Sequence, residues 1–203
     1  MKSVKSAVFL CMVAAATASA NVNLEFRPVA STINLGNTAQ IGLYATWDGS
    51  GLGQTASAIE VAFGWDTSFL SLLGLDGTGG ATLISSGFPA AGSGGLNEAA
   101  VPADGDGFYL AFASLGTPID TTVAGGALVT TFLFQGLNLT PGTPIDMLAS
   151  AGSPVVETRV FDGVIPNTVV TGTLSGTSIT IVPAPSGLII LGFAAMGVQR
   201  RRR

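Results

Sequence analysis

The chain contains no histidine, and its one cysteine, Cys11, lies within the first twenty residues. Without imidazole, and without a thiol beyond residue 20, Ser-His-Asp and Cys-His catalysis are excluded from the body of the protein. Zinc sites built on those ligands and a stapling disulfide are excluded with them. Lysine is almost as scarce, Lys2 and Lys5 being the only two, so none remains in the body for a phosphate-binding loop or a Schiff base. No Gly-x-Ser-x-Gly elbow occurs. The Gly-rich stretches lack the strand-to-helix setting that a nucleotide fingerprint needs, and read as loops.

Charge is thin, at 10% of residues, and uneven. Between positions 21 and 199 only Arg27 and Arg159 are basic, against all twelve acidic residues, a formal charge of −10. Phosphate backbones are repelled from such a surface, which excludes nucleic acid as a partner. A carboxylate-dependent hydrolase needs only two acids, so counting leaves it open. Most acids have a local explanation, however: Asp48, Asp76 and Asp162, for example, each precede a glycine in a turn. The one pair with metal-like spacing is Asp104 and Asp106 in Ala103-Asp104-Gly105-Asp106-Gly107. Two carboxylates with backbone carbonyls between them could wrap a calcium ion, and the alternative is a solvated turn entering a strand.

The longest apolar runs stand at the two ends. Residues 1–20 combine Lys2 and Lys5, an apolar stretch over 7–16 and the small residues Ala18-Ser19-Ala20, the pattern of a cleaved secretory signal with cutting before Asn21. Residues 182–203 run from Pro183-Ala184-Pro185 through an apolar stretch over 187–198 to Arg200, Arg201, Arg202 and Arg203. A dozen apolar residues are short for a hydrocarbon core of ~30 Å, which takes about 20 in a helix. The arginines would hold the end of this short hydrophobic helix on the cytoplasmic side while the acidic body lies across the inner membrane. A plain tail anchor would have the same orientation.

This tail resembles the PEP-CTERM sorting signal of Gram-negative bacteria that make exopolysaccharide. The resemblance implies Sec export, transient inner-membrane anchoring, and removal of the tail by an exosortase-type enzyme. Release to the cell surface or extracellular matrix would follow. Ala184 stands where that family usually has glutamate.

Between the two addresses, 21–181 reads as one domain of strands. Ala39, Ile41, Leu43, Ala45 and Trp47 alternate along one face, and Ile59, Val61, Phe63 and Trp65 along another. Further strands are expected over 24–29, 69–75, 108–113, 127–135, 145–149, 155–161 and 169–181, separated by Asp-Gly and Pro-Gly turns. The pattern gives an all-β, jelly-roll-type sandwich of eight or nine strands. Residues 77–107, rich in Gly and Ala, read as a long surface excursion. Trp47 and Trp65 continue the apolar rows of their strands and are assigned to the core rather than to a sugar-stacking platform. Tyr44 and Tyr109 fall on the faces opposite the main apolar rows of their own strands and are the surface candidates.

The run from Ala58 through Phe63-Gly64-Trp65-Asp66 to Leu70 resembles the strand-turn-strand of cohesin-type domains. The order of 108–113, Gly125-Gly126 leading into 127–134, and Gly142-Thr143-Pro144-Ile145 is similar to that family's later strands. The resemblance implies a non-catalytic module that meets a dockerin-like protein through a sheet face. A carbohydrate-binding module for extracellular polysaccharide is the first alternative and a hydrolase the second.

Overall fold

The computed structural model describes residues 21–90, 96–114, 116–165 and 168–185. The expected secretory signal over 1–20, and the expected hydrophobic helix and arginine cluster beyond Pro185, lie outside the described residues. Two sheets pack face to face. The first has the order β14 (Thr171–Ser175), β1 (Val22–Pro28), β3 (Thr38–Trp47), β9 (Ala127–Gly136) and β5 (Leu70–Asp76). The second runs β2 (Thr32–Asn34), β15 (Thr177–Val182), β10 (Thr140–Leu148), β4 (Thr55–Trp65), β7 (Asp106–Ala113) and β6 (Leu83–Gly87). Two short strands, β8 (Ile119–Asp120) and β13 (Arg159–Asp162), also pair with β4. A two-stranded ribbon of β11 (Ser150–Ala151) and β12 (Val156–Glu157) stands apart.

The all-β sandwich expected from alternation is the structure observed. Its strands are more numerous than eight or nine because bulges and short pairings break long runs, as where 155–161 splits into β12 and β13. Neighbours in sequence also part company. β3 and β4 lie in different sheets, joined by the long turn after Asp48.

The alternation fills the core. Ile41, Leu43 and Ala45 of β3 face Ile59, Val61 and Phe63 of β4 across the sandwich, all fully buried. At the centre Phe132 sits edge-on to Phe26 (5.5 Å between ring centroids), Phe63 (5.0 Å) and Tyr109 (5.3 Å), the preferred geometry for aromatic pairs. Trp65 stacks on Phe63 at 5.6 Å and is buried, as assigned. Trp47 is only half-buried, and its indole N–H reaches the carbonyls of Ser50 (3.0 Å) and Leu52 (3.1 Å), so it closes the turn rather than filling the core.

Tyr109 corrects the sequence reading. In the sequence it stands opposite Phe108, Leu110 and Phe112, the bulkier row of its strand, which reads as the core face. The structure turns β7 the other way: Tyr109, Ala111 and Ala113 point into the core, and Tyr109 is 0% exposed, its hydroxyl 2.7 Å from Ser86 Oγ. β7 is apolar on both faces, so period two gives the alternation and not its direction.

Residues 77–107 are likewise more than a surface excursion. They supply the edge strand β6 and bury Leu96 and Asn97, which are 1% exposed.

Candidate binding surface

The outer face of the eight-stranded sheet is laid out in cross-strand rows by its register. One row runs Phe161, Ala58, Phe112, Ser85; the next Arg159, Glu60, Leu110, Gly87; the third Leu148, Ala62, Phe108; the fourth Asp146, Gly64, Asp106. These rows divide into a covered half and an open half.

The covered half is the third row. Leu96 packs with Ala62 and Phe108 in a second small core, joined by Leu148, Ala151 and Val156. The cover follows from how β4 shares one edge between two strands. β10 pairs with Ala62 to Trp65, β13 pairs with Ala56 to Glu60, and the chain between them loops out as the β11–β12 ribbon. Thr158 plugs the gap: its Oγ1 accepts the Ala62 N–H at 3.0 Å and donates to the Leu148 carbonyl. From the other side Asn97 bonds both backbone groups of Phe108.

The open half holds Phe112, 39% exposed, with the half-buried Leu110 and Phe161 and the charges of Glu60, Glu157 and Arg159. Arg159 grips Glu157 through Nε (3.0 Å) and Nη2 (2.6 Å). Burial among the apolar rows raises the Glu60 carboxyl above the usual carboxylate range, and the Arg159 guanidinium partly restores it. An apolar strip bordered by one cation and two carboxylates can bind a complementary protein surface through hydrophobic contact, with the charges fixing orientation. Sequence reasoning missed this strip, since it assigned Phe112 and Leu110 to the core.

Asp104 and Asp106 share the turn that enters β7, where Gly105 takes φ +105° and its carbonyl accepts the Trp65 N–H at 2.7 Å. Burial raises the Asp106 carboxyl, and the Asp104 and Glu98 charges raise it further; its Oδ1 is buried with no partner. Among the described residues no group of three or more His, Cys, Asp or Glu could hold a metal ion. Pro183 and Pro185 are exposed and extend from the end of β15, while Arg200, Arg201, Arg202 and Arg203 lie outside the described residues.

The other acids behave as turn residues. Asp48, Asp66, Asp76 and Asp120 each accept the backbone N–H and the hydroxyl of the Ser or Thr two positions on. Those bonds hold the Asp66, Asp76 and Asp120 carboxyls below their ordinary value. Tyr44 lies under the Arg27 guanidinium, 4.5 Å from ring centroid to Cζ. An open depression of about 400 Å³ lies among Gly80, Thr82, Pro118, Asp120, Val123 and Leu128. No aromatic ring lines it, and Asp120 is already engaged by Thr122.

Solved structures share this arrangement of sheets. A cohesin module from a family 33 glycoside hydrolase of Clostridium perfringens aligns with a TM-score of 0.55 over 81% of this chain and 99% of its own, at 12% identity. The fold is that of cohesin modules. The seventh ScaB type I cohesin of Pseudobacteroides cellulosolvens gives 0.56 over 83% of this chain and 95% of its own, at 10% identity. A type I cohesin–dockerin complex from Clostridium thermocellum gives 0.54 over 79% and 99%, at 11% identity. At such identities the likeness to cohesins is one of fold. No protein-family model matches the chain, and no curated protein matches it.

Proposed function

We propose that this protein is an exported, non-catalytic binding module of the bacterial surface or extracellular matrix, which docks a protein module on the open half of its eight-stranded sheet. One observation carries the reading: on a cohesin fold, the chain buries the third row of this face under its own loops yet leaves Phe112, Leu110 and Phe161 uncovered beside Glu60 and Arg159. Exposed aromatic and aliphatic groups flanked by a few charges form the central patch of protein interfaces. The likeness to a cohesin solved with a dockerin suggests a dockerin-like module as the class of partner.

Against carbohydrate, Trp65 and Tyr109 are buried, while the half-buried Trp47 and Tyr44 are engaged by their own chain, the indole N–H by the Ser50 and Leu52 carbonyls and the Tyr44 ring by the Arg27 guanidinium. Against hydrolysis, four aspartates are committed to turns. Delivery follows from the termini: Sec export through 1–20, then membrane retention and exosortase-type processing through 182–203.

Calorimetric titration against a panel of dockerin modules and extracellular polysaccharides tests the binding. Phe112→Ser should abolish protein binding while leaving the melting temperature within a few degrees. Binding of polysaccharide alone, unaffected by that substitution, would replace this reading with the carbohydrate one.

A further inference from the structure

The strand that leads into the tail ends at one pole of the sandwich, and that pole is apolar. β15 finishes at Val182, whose carbonyl accepts the Leu35 N–H at 2.8 Å; Gly36 beside it donates to the Gly136 carbonyl at 2.9 Å, next to Leu137. Thr140, which follows Leu139, pairs with Ile181. Val29 lines a dimple of about 110 Å³ with Ile33 of β2, the strand beside β15. Four large apolar side chains are therefore exposed around the exit of the chain: Val29 (77%), Leu35 (40%), Leu137 (41%) and Leu139 (50%). Carboxylates border them on one side only: Asp66, in the turn whose Ser68 carbonyl accepts from Asn138 Nδ2, and Asp104 and Asp106, whose intervening Gly105 lies against Trp65 and Thr67.

The opposite pole also exposes apolar groups, Leu52, Val164, Ile165 and Val169, so exposure alone does not distinguish the two ends. Reach does. From Val182 to Gly187, where the apolar run starts, is five residues, at most about 17 Å of extended chain. A domain of this size has a radius of gyration of ~15 Å and a diameter of about 40 Å. A tether shorter than half that diameter holds the pole it leaves against whatever surface the run enters.

We propose that the pole formed by Val29, Leu35, Leu137 and Leu139 is a membrane-contact surface. While the tail is inserted, these side chains rest in the headgroup layer, and the binding face on β4, β7 and β6 runs roughly along the membrane normal, reachable from the side. This inference rests on the reading of the tail as membrane-inserted. The occupant is a lipid surface because the run of 187–198 and its arginines leave from this pole and no other. Among the described residues the basic side chains are Arg27, engaged with Glu25, the Tyr44 ring and the Gly125 carbonyl, and Arg159 on the binding face, so apolar contact, rather than attraction to anionic lipid, supplies the adhesion.

With Cys11 in the signal, the chain from Asn21 to Arg203 has no cysteine, so single labels can be placed cleanly. Chains carrying V29C, L137C, L139C, L52C, V164C or, within the tail, I190C are each tagged with an environment-sensitive fluorophore. They are reconstituted into vesicles of phosphatidylethanolamine and phosphatidylglycerol. The expected result is blue-shifted emission and quenching by lipid-borne quenchers at 190, 29, 137 and 139, with 52 and 164 unchanged from water. A buried label at 190 with 29, 137 and 139 as wet as 52 and 164 would overturn the contact surface and leave the tail reading intact. A wet label at 190 would overturn both.

Discussion

Asn97 bonds the backbone of Phe108 with both ends of its amide: Nδ2 donates to the Phe108 carbonyl at 2.7 Å, and Oδ1 accepts the Phe108 N–H at 3.0 Å. The pair is buried, so one side chain satisfies two main-chain groups that would otherwise be stranded beyond the end of β6. Asn97→Ala should cost about 2–4 kcal/mol, one to three for each orphaned group less what water recovers. It should also loosen Leu96 from Ala62 and Phe108. Urea melts give the first, and faster amide exchange at Phe108 the second; an unchanged midpoint would show that the clasp contributes nothing.

Asp106 is expected to work against stability near neutral pH. Its carboxyl is raised by burial and by Asp104 and Glu98, so between the unfolded and folded values the native state binds more protons than the unfolded one. Stability from this group therefore falls as pH rises through that window. Asp106→Asn should raise the melting temperature at pH 7, and the gain should vanish below about pH 4, where both states of the wild type are protonated. A lower melting temperature at pH 7 would contradict the account.

The Asp-x-Ser/Thr turns carry the opposite sign. The Asp66, Asp76 and Asp120 carboxyls are lowered, chiefly by the hydroxyl and N–H of Ser68, Thr78 and Thr122. Their contribution is present above about pH 4 and is lost as pH falls through the folded values. The triple variant Asp66→Asn, Asp76→Asn, Asp120→Asn keeps the acceptor oxygens without the titration. Its melting temperature should decline less than the wild type's between pH 5 and 2. Parallel curves would mean that the turns are not acid-labile.

Phe132 meets Phe26, Phe63, Phe88 and Tyr109, so its removal opens the aromatic centre. Phe132→Ala should cost about 3–5 kcal/mol, and Phe132→Leu, which keeps much of the volume but loses the ring pairs, clearly less. Equal losses in the two variants would mean that the site collapses around the cavity.

Strands were legible wherever one face was apolar and the other was not. β3, with Gln40 out and Ile41 in, shows both its period and its direction in the sequence alone. β7 shows only its period, because Phe108, Leu110 and Phe112 outweigh Tyr109, Ala111 and Ala113 in bulk while facing outward. What inverted the choice is remote: Leu96 and Val156 cover Phe108 from segments 12 and 48 residues away, and no local pattern encodes that contact. The candidate surface was hidden for the same reason, since Leu110 and Phe112 were counted into the core. Turn chemistry was better encoded, because an aspartate two residues before a serine or threonine acts within its own loop.

The account turns on the open half of the sheet being where a partner sits. A photo-crosslinking residue placed at Phe112, and separately at Leu73, a somewhat more exposed apolar position on the other sheet, tests this in the source organism. The prediction is a discrete adduct with a second protein from position 112 and none from position 73. Adducts from 73 alone, or the same adducts from both, would contradict it.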